Sequence, residues 1–176
     1  MVLKLITFIT LEEFEKILKA EKKKEYKLAY VLGFGSGLRL SEIVGFKRED
    51  STIIPPLTPD RVDLKTHQIR VIDAKGHKDR ITVTSPWLNE TNIKLLPLNI
   101  PRRTLENRIK VLGKRVLNKD IHFHTLRHGF GNYMANDKNL PLPMLQQLMG
   151  HSRLDVTGIY TKANPVQAIE RAWENF

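Results

Sequence analysis

The stretch Gln68-Ile69-Arg70-Val71-Ile72, then Ala74-Lys75-Gly76-His77-Lys78-Asp79, then Arg80-Ile81-Thr82-Val83 decides the fold. The two outer runs alternate or carry β-branched residues, so each predicts a short strand. The middle run is polar, and Gly76 supplies the positive φ of a tight turn, so the three together predict a β-hairpin. Most of what lies on either side reads as helix. Toward the N-terminus, Thr10 followed by Glu13 forms a capping box. It opens an amphipathic helix through Leu11, Phe14, Ile17 and Leu18. The run Glu21-Lys22-Lys23-Lys24 is expected to end that helix in solvent. Tyr26 to Phe34 is apolar enough for a buried helix. Gly33, Gly35 and Gly37 are expected to break it, with a short helix restarting around Arg39 to Val44. Residues 47–60, rich in Pro, Asp and Thr, predict a loop rather than a domain boundary. Beyond the hairpin, helices are expected near 103–117, 125–137, 142–149, 153–160 and 165–175. Asn164-Pro165 forms the last N-cap. The predicted class is α+β, mainly α-helical, with one small antiparallel hairpin in a single domain over 1–176.

Composition narrows the function classes. A chain of 176 residues, 41% of them hydrophobic, can bury one core. The absence of cysteine excludes disulfides, thiolate metal sites and a cysteine nucleophile. Lys and Arg number 29 against 19 Asp and Glu, a net charge of +10, which favours a polyanionic partner. That balance also fits a protein that only scaffolds nucleic acid, while an anionic membrane fits less well. Met1 to Ile6 is too short and too quickly charged for a signal peptide, and no apolar run nears the ~20 residues of a membrane span. The expectation is a soluble, intracellular protein.

Several residues have the chemistry to act on an anion. His124 and Arg127, three apart in His124-Thr125-Leu126-Arg127-His128, share one face of a predicted helix. His124 and His128, four apart, have the spacing of metal ligands. No Glu follows His124 as a hydrolytic zinc helix requires, and no third ligand is evident. A His and an Arg at a helix N-terminus suit an anion better, since free N–H groups and the dipole add positive potential there. A capped helix with a surface arginine is the plainer alternative. His151, after Gly150, fits a capping role, and Tyr160 taken alone reads as an ordinary aromatic. Lys75 is either a solvated turn lysine or one held over a DNA groove. Gly33-Phe34-Gly35-Ser36-Gly37 lacks the preceding strand of a nucleotide loop, so its glycines are expected to let two helices meet closely.

Taken in order, Arg39, Lys75, His124, Arg127, His151 and Tyr160 are more specific than any one of them. Gly37-Leu38-Arg39-Leu40-Ser41-Glu42 resembles the first arginine box of the tyrosine recombinases, the lambda-integrase family. Ala74-Lys75-Gly76-His77-Lys78-Asp79-Arg80 resembles their lysine hairpin, and His124-Thr125-Leu126-Arg127-His128 their second arginine box. Leu148-Met149-Gly150-His151-Ser152 resembles their Leu-Gly-His-Ser turn, with Met149 as a departure. Ile159-Tyr160-Thr161 closes the set. The resemblance spans about residues 10 to 170.

The resemblance implies a catalytic domain that cleaves and rejoins double-stranded DNA without metal, ATP or any other cofactor. Tyr160 is then the nucleophile, forming a 3′-phosphotyrosyl bond. Arg39 and Arg127 clamp the phosphate, and Lys75 protonates the leaving 5′ oxygen, with Lys78 as its competitor. His124 assists proton transfer from Tyr160, and His151 donates to a nonbridging oxygen. Glu42 is expected to support Arg39. A type IB-like topoisomerase uses similar residues, and a silent basic DNA-binding module is the non-enzymatic alternative. Family members usually carry an N-terminal DNA-clamping domain. Only a few residues precede the first helix here, so an isolated or minimal catalytic domain is expected. The amphipathic tail from Pro165 to Phe176 either packs on its own domain or docks on a neighbour in a dimer or tetramer. The implied location is the nucleoid of a prokaryotic or virus-infected cell.

Overall fold

A computed structural model describes residues 8–47, 49, 51–74 and 78–150. Helix α1 (Leu11–Ala20) starts where the capping box places it. Thr10 Oγ1 accepts from the Glu13 N–H at 3.3 Å, and Glu13 Oε2 accepts from the Thr10 N–H at 3.1 Å. Its apolar stripe buries Phe14 and Ile17. Helix α2 (Lys24–Gly35) is buried continuously from Leu28 to Gly35 and forms the centre of the molecule. Phe14 stacks on Phe34 with ring centroids 4.1 Å apart, and Trp87 sets its edge against both rings.

Gly33 and Gly35 do not break α2 but lie inside it. A Cβ at Gly33 would stand 3.1 Å from the Phe123 ring and 3.3 Å from Leu126, so its bare backbone admits close packing of a later helix. Only Gly37 turns the chain. Its φ of +66° is natural for glycine, and a Cβ there would meet the Phe130 ring at 2.5 Å. Helix α3 (Leu40–Val44) follows with Arg39 as its N-cap.

Part of the span 47–60, expected as a loop, is ordered. Strands β1 (Phe46–Lys47) and β2 (Ile53–Ile54) pair antiparallel, and a 3₁₀ turn covers Pro59–Arg61. Two-residue strands are too short to show a sequence period. The predicted hairpin forms from β4 (Gln68–Ala74) and β5 (Lys78–Val83), with Ile69 opposite Thr82 and Val71 opposite Arg80. A further strand, β3 (Val62–Asp63), joins β4 to give a three-stranded antiparallel sheet. After a short helix α4 (Glu90–Ile93), helices α5 (Arg102–Leu112) and α6 (Phe123–Asn132) each continue into a wider π-helical turn, at Gly113–Leu117 and Tyr133–Asp137. Helix α7 (Leu142–Met149) packs against β5 and ends at Gly150, whose φ of +62° makes a left-handed C-cap. The helices expected at 153–160 and 165–175 lie outside the described residues.

Lys22, Lys23 and Lys24 are exposed, as the charge run at 21–24 predicts, but its first residue is not. Glu21 is fully buried. Its carboxylate accepts from the Lys22 and Lys23 N–H groups, from Arg108 Nε at 2.8 Å and Nη2 at 3.1 Å, and from the Tyr30 hydroxyl. Burial alone would raise its pKa, but Arg108 and the two backbone donors outweigh burial and hold it below the usual carboxylate range. This cluster ties the α1–α2 corner to α5, and Lys24 begins α2.

Candidate active site

Three pieces of chain converge beside the hairpin: the Gly37 turn with α3, the first half of α6, and the end of α7. Arg39 and His124 line one cleft of about 220 Å³, together with Ser41, Arg102 and Glu106. Arg39 is placed by its own helix. Glu42, one turn on, accepts from the Arg39 N–H at 2.7 Å and from Arg39 Nη1 at 2.9 Å. The expected support of Arg39 by Glu42 is therefore a direct double contact. Arg102, which lines the cleft, lies over the ring of Phe46 with its guanidinium carbon 4.3 Å from the ring centre, a cation–π contact.

Arg127 is not a surface arginine. It is 1% exposed, and its guanidinium donates to the backbone carbonyls of Gly37 and Met149. One side chain thus joins the turn before Arg39 to the end of α7. A buried guanidinium needs such partners, because desolvating an unpaired cation costs several kcal/mol.

His124 sits one turn before Arg127 on α6, exposed on the cleft side, with its ring 4.5 Å from that of His128 at nearly a right angle. Withdrawal of part of the ring from water is the main influence on it, followed by the charges of His128, Arg127 and Arg39. Together they lower its pKa to about 4. At neutral pH the imidazole is uncharged, so one ring nitrogen can accept a proton. His128 is lowered in the same way, first by burial and then by Arg127. No third His, Cys, Asp or Glu joins these two into a metal-binding group among the described residues.

The N-terminus of α6 is not an open anion site. The Phe123 N–H donates to Glu106 Oε2 at 3.1 Å, and Thr125 Oγ1 accepts from the His122 N–H at 3.0 Å. The acidic group that the helix dipole favours is already supplied from α5.

Arg80 is the residue that sequence reasoning left without a role. Its Nη1 and Nη2 donate to the two oxygens of Glu42 at 2.6 and 3.0 Å, and its Nε donates to the Leu148 carbonyl at 3.0 Å. Burial would raise the Glu42 carboxyl, but the bonds and charge of Arg80, and then Arg39, bring it down to about 2. A basic residue at the start of a short predicted strand gives no sign of a partner 38 positions away.

Lys75, His151 and Tyr160 lie outside the described residues. Strands β4 and β5 bracket the first, and Gly150 immediately precedes the second. Lys78 opens β5.

A mainly helical domain with a small antiparallel sheet at its cationic cleft is a recognisable class, and comparison with known proteins agrees. A model of the phage integrase family matches residues 7–166, so the chain belongs to that family. Tyrosine recombinase XerA of Pyrococcus horikoshii is 30% identical over 185 residues, covering 93% of this chain and 60% of that protein. Tyrosine recombinase XerC of Pseudomonas fluorescens is 30% identical over 148 residues, covering 74% of this chain and 45% of that protein. The chain thus spans about half the length of these relatives. The crystal structure of XerA recombinase superposes with a TM-score of 0.72 at 23% identity, over 99% of this chain and 66% of that one. The catalytic domain of bacteriophage HP1 integrase gives 0.66 at 19% identity, over 96% and 94%. The fold of the whole described region is that of these domains. No helix among the described residues is long and apolar enough to cross a membrane.

Proposed function

We propose that residues 1–176 form the catalytic domain of a site-specific DNA recombinase or integrase that cuts and rejoins DNA through Tyr160. The observation that carries this reading is the shared cleft of Arg39 and neutral His124, with Arg127 on the same helix. Membership of the phage integrase family supports it, as does the +10 net charge. Structural neighbours include a XerH recombinase bound to a palindromic difH substrate in a post-cleavage complex. The matched relatives are named recombinases, which favours recombination over relaxation alone.

In this reading the Tyr160 hydroxyl passes its proton toward His124 and its oxygen attacks phosphorus. A tyrosine with an ordinary pKa near 10 needs such a base at neutral pH. The bond to the 5′ oxygen breaks, and Lys75 supplies the proton that oxygen takes. Arg39 meets the nonbridging oxygens from the cleft, Arg127 adds its positive charge from beneath while its guanidinium holds the Gly37 and Met149 carbonyls, and His151 donates a further bond. The phosphotyrosyl bond retains the energy, so a 5′-hydroxyl from the same or another duplex completes the reaction without ATP. Double-stranded DNA is the partner. The C-terminal segment joins protomers into a dimer or tetramer on it, in the cytoplasm at the nucleoid.

The test is covalent capture from a pool of duplexes randomised around a fixed nick, in the presence of EDTA. The nick lets the short 5′-hydroxyl product leave and strands the adduct. Wild-type protein is expected to trap DNA, and Lys75→Ala to trap it slowly unless the leaving oxygen is replaced by sulfur. No adduct from any sequence, or a strict metal requirement, contradicts the reading.

A further inference from the structure

We propose that Arg80 is a positioning residue that holds Arg39 and the segment entering His151 in one frame; this rests on the recombinase reading above. Arg80 faces Val71 across the β4–β5 ladder, and its side chain is 7% exposed. Its three contacts reach two other elements, α3 through Glu42 and α7 through Leu148.

The Glu42 end is doubly held. Oε1 accepts from Arg39 Nη1 at 2.9 Å and from Arg80 Nη1 at 2.6 Å. Oε2 accepts from the Arg39 N–H at 2.7 Å and from Arg80 Nη2 at 3.0 Å. With each oxygen pinned from two sides, the carboxylate is fixed, and so is the guanidinium of Arg39 that it carries. Charge points the same way. One carboxylate lies between two guanidinium groups, so the trio keeps one net positive charge. Without Arg80, Glu42 would cancel the charge of Arg39, which then meets an anion less strongly.

The α7 end is held in parallel. The last carbonyls of a helix lack intrahelical donors. Here Arg80 Nε serves Leu148 and Arg127 serves Met149, so two guanidinium groups cap consecutive carbonyls and complement the negative end of the dipole. Gly150 then passes directly over Arg80, where a Cβ would lie 2.6 Å from Arg80 Cδ. The next residue is His151, and Tyr160 lies nine further on. Lysine cannot replace this geometry. A single ammonium does not span both carboxylate oxygens and a separate carbonyl, as a planar fork with an Nε donor does.

The experiment uses the full 176-residue chain and the nicked duplex selected by covalent capture. Arg80→Met is expected to slow single-turnover cleavage by about 100-fold while leaving DNA affinity nearly unchanged, since misplaced catalytic groups cost rate more than binding. On the same duplex with a methylphosphonate at the scissile position, which removes a nonbridging charge, the loss is expected to shrink, because part of it runs through Arg39. Arg80→Lys keeps the charge and the stem and covers the case in which Arg80→Met does not fold; it is expected to cleave at least about tenfold slower than wild type. A wild-type rate in either variant overturns the proposal, as does an equal loss on both substrates. Failure of the wild-type chain to trap any DNA is a different result, which removes the recombinase reading and this proposal with it.

Discussion

Both ends of the Arg80 fork meet the Glu42 carboxylate, at 2.6 and 3.0 Å, although one residue stands on β5 and the other on α3. Glu42 is 4% exposed, so its charge depends on this partner and on Arg39. The folded carboxyl titrates near 2 against an ordinary value of 4.5. A lowered carboxyl stabilises the fold above the unfolded value, and the benefit is lost as pH falls through the folded one. Urea unfolding of the wild type is therefore expected to lose on the order of 3 kcal/mol from this group as pH falls from about 4.5 to 2. Glu42→Gln is expected to be less stable by roughly 3–5 kcal/mol at pH 7, because two guanidinium groups lose their anion. Its stability gap to the wild type should narrow over the same acid range. A constant gap would show that the Glu42 charge is not what holds the cluster.

His124 makes a prediction of the same sign in a higher pH window. Its folded pKa is near 4 and its ordinary value 6.5. Below 6.5 the unfolded chain gains a proton that the folded chain refuses until about 4, so this histidine weakens the fold as pH falls through that window. NMR titration of the imidazole should place it near 4 in the free protein. Added duplex DNA is expected to raise it, because a phosphate beside the ring favours the cation. A free value near 6.5, or no movement with DNA, would remove His124 from the phosphate site.

Gly37 links backbone conformation to the site. With φ at +66° and a Phe130 ring atom 2.5 Å from where a Cβ would stand, Gly37→Ala is both strained and overpacked. The expected cost is roughly 2–4 kcal/mol, from the left-handed conformation and the displaced ring together. The Gly37 carbonyl also accepts from Arg127, so cleavage is expected to fall beyond what unfolding explains. Unaltered stability would mean that the turn relaxes elsewhere.

What could be read from the sequence follows the range of each interaction. Thr10 and Glu13 are three apart, and their capping box was legible at once. So were the arms of the β4–β5 hairpin, the helical runs and the neighbouring support of Arg39 by Glu42. Interactions that close over long separations were hidden. Glu21 looked solvated in its charge run because its partner Arg108 is 87 residues away. Arg80 carries no role in the sequence because Glu42 and Leu148 are 38 and 68 residues away. Arg127 could be placed on a helix face, but its burial between Gly37 and Met149 depends on three segments meeting. That the Phe123 N–H at the start of α6 donates to Glu106 depends on a residue 17 positions away on α5. Gly33 and Gly35 read as breakers by residue type, yet α2 tolerates them in return for close contact with Phe123, Leu126 and Ser85.

The proposed role of Tyr160 as the nucleophile is tested most directly by peptide mapping of the captured protein–DNA adduct by mass spectrometry. The expected result is a nucleotide remnant on the peptide containing Tyr160, joined through the phenolic oxygen, and no adduct from Tyr160→Phe. A remnant on any other residue, or an undiminished adduct in Tyr160→Phe, would contradict it.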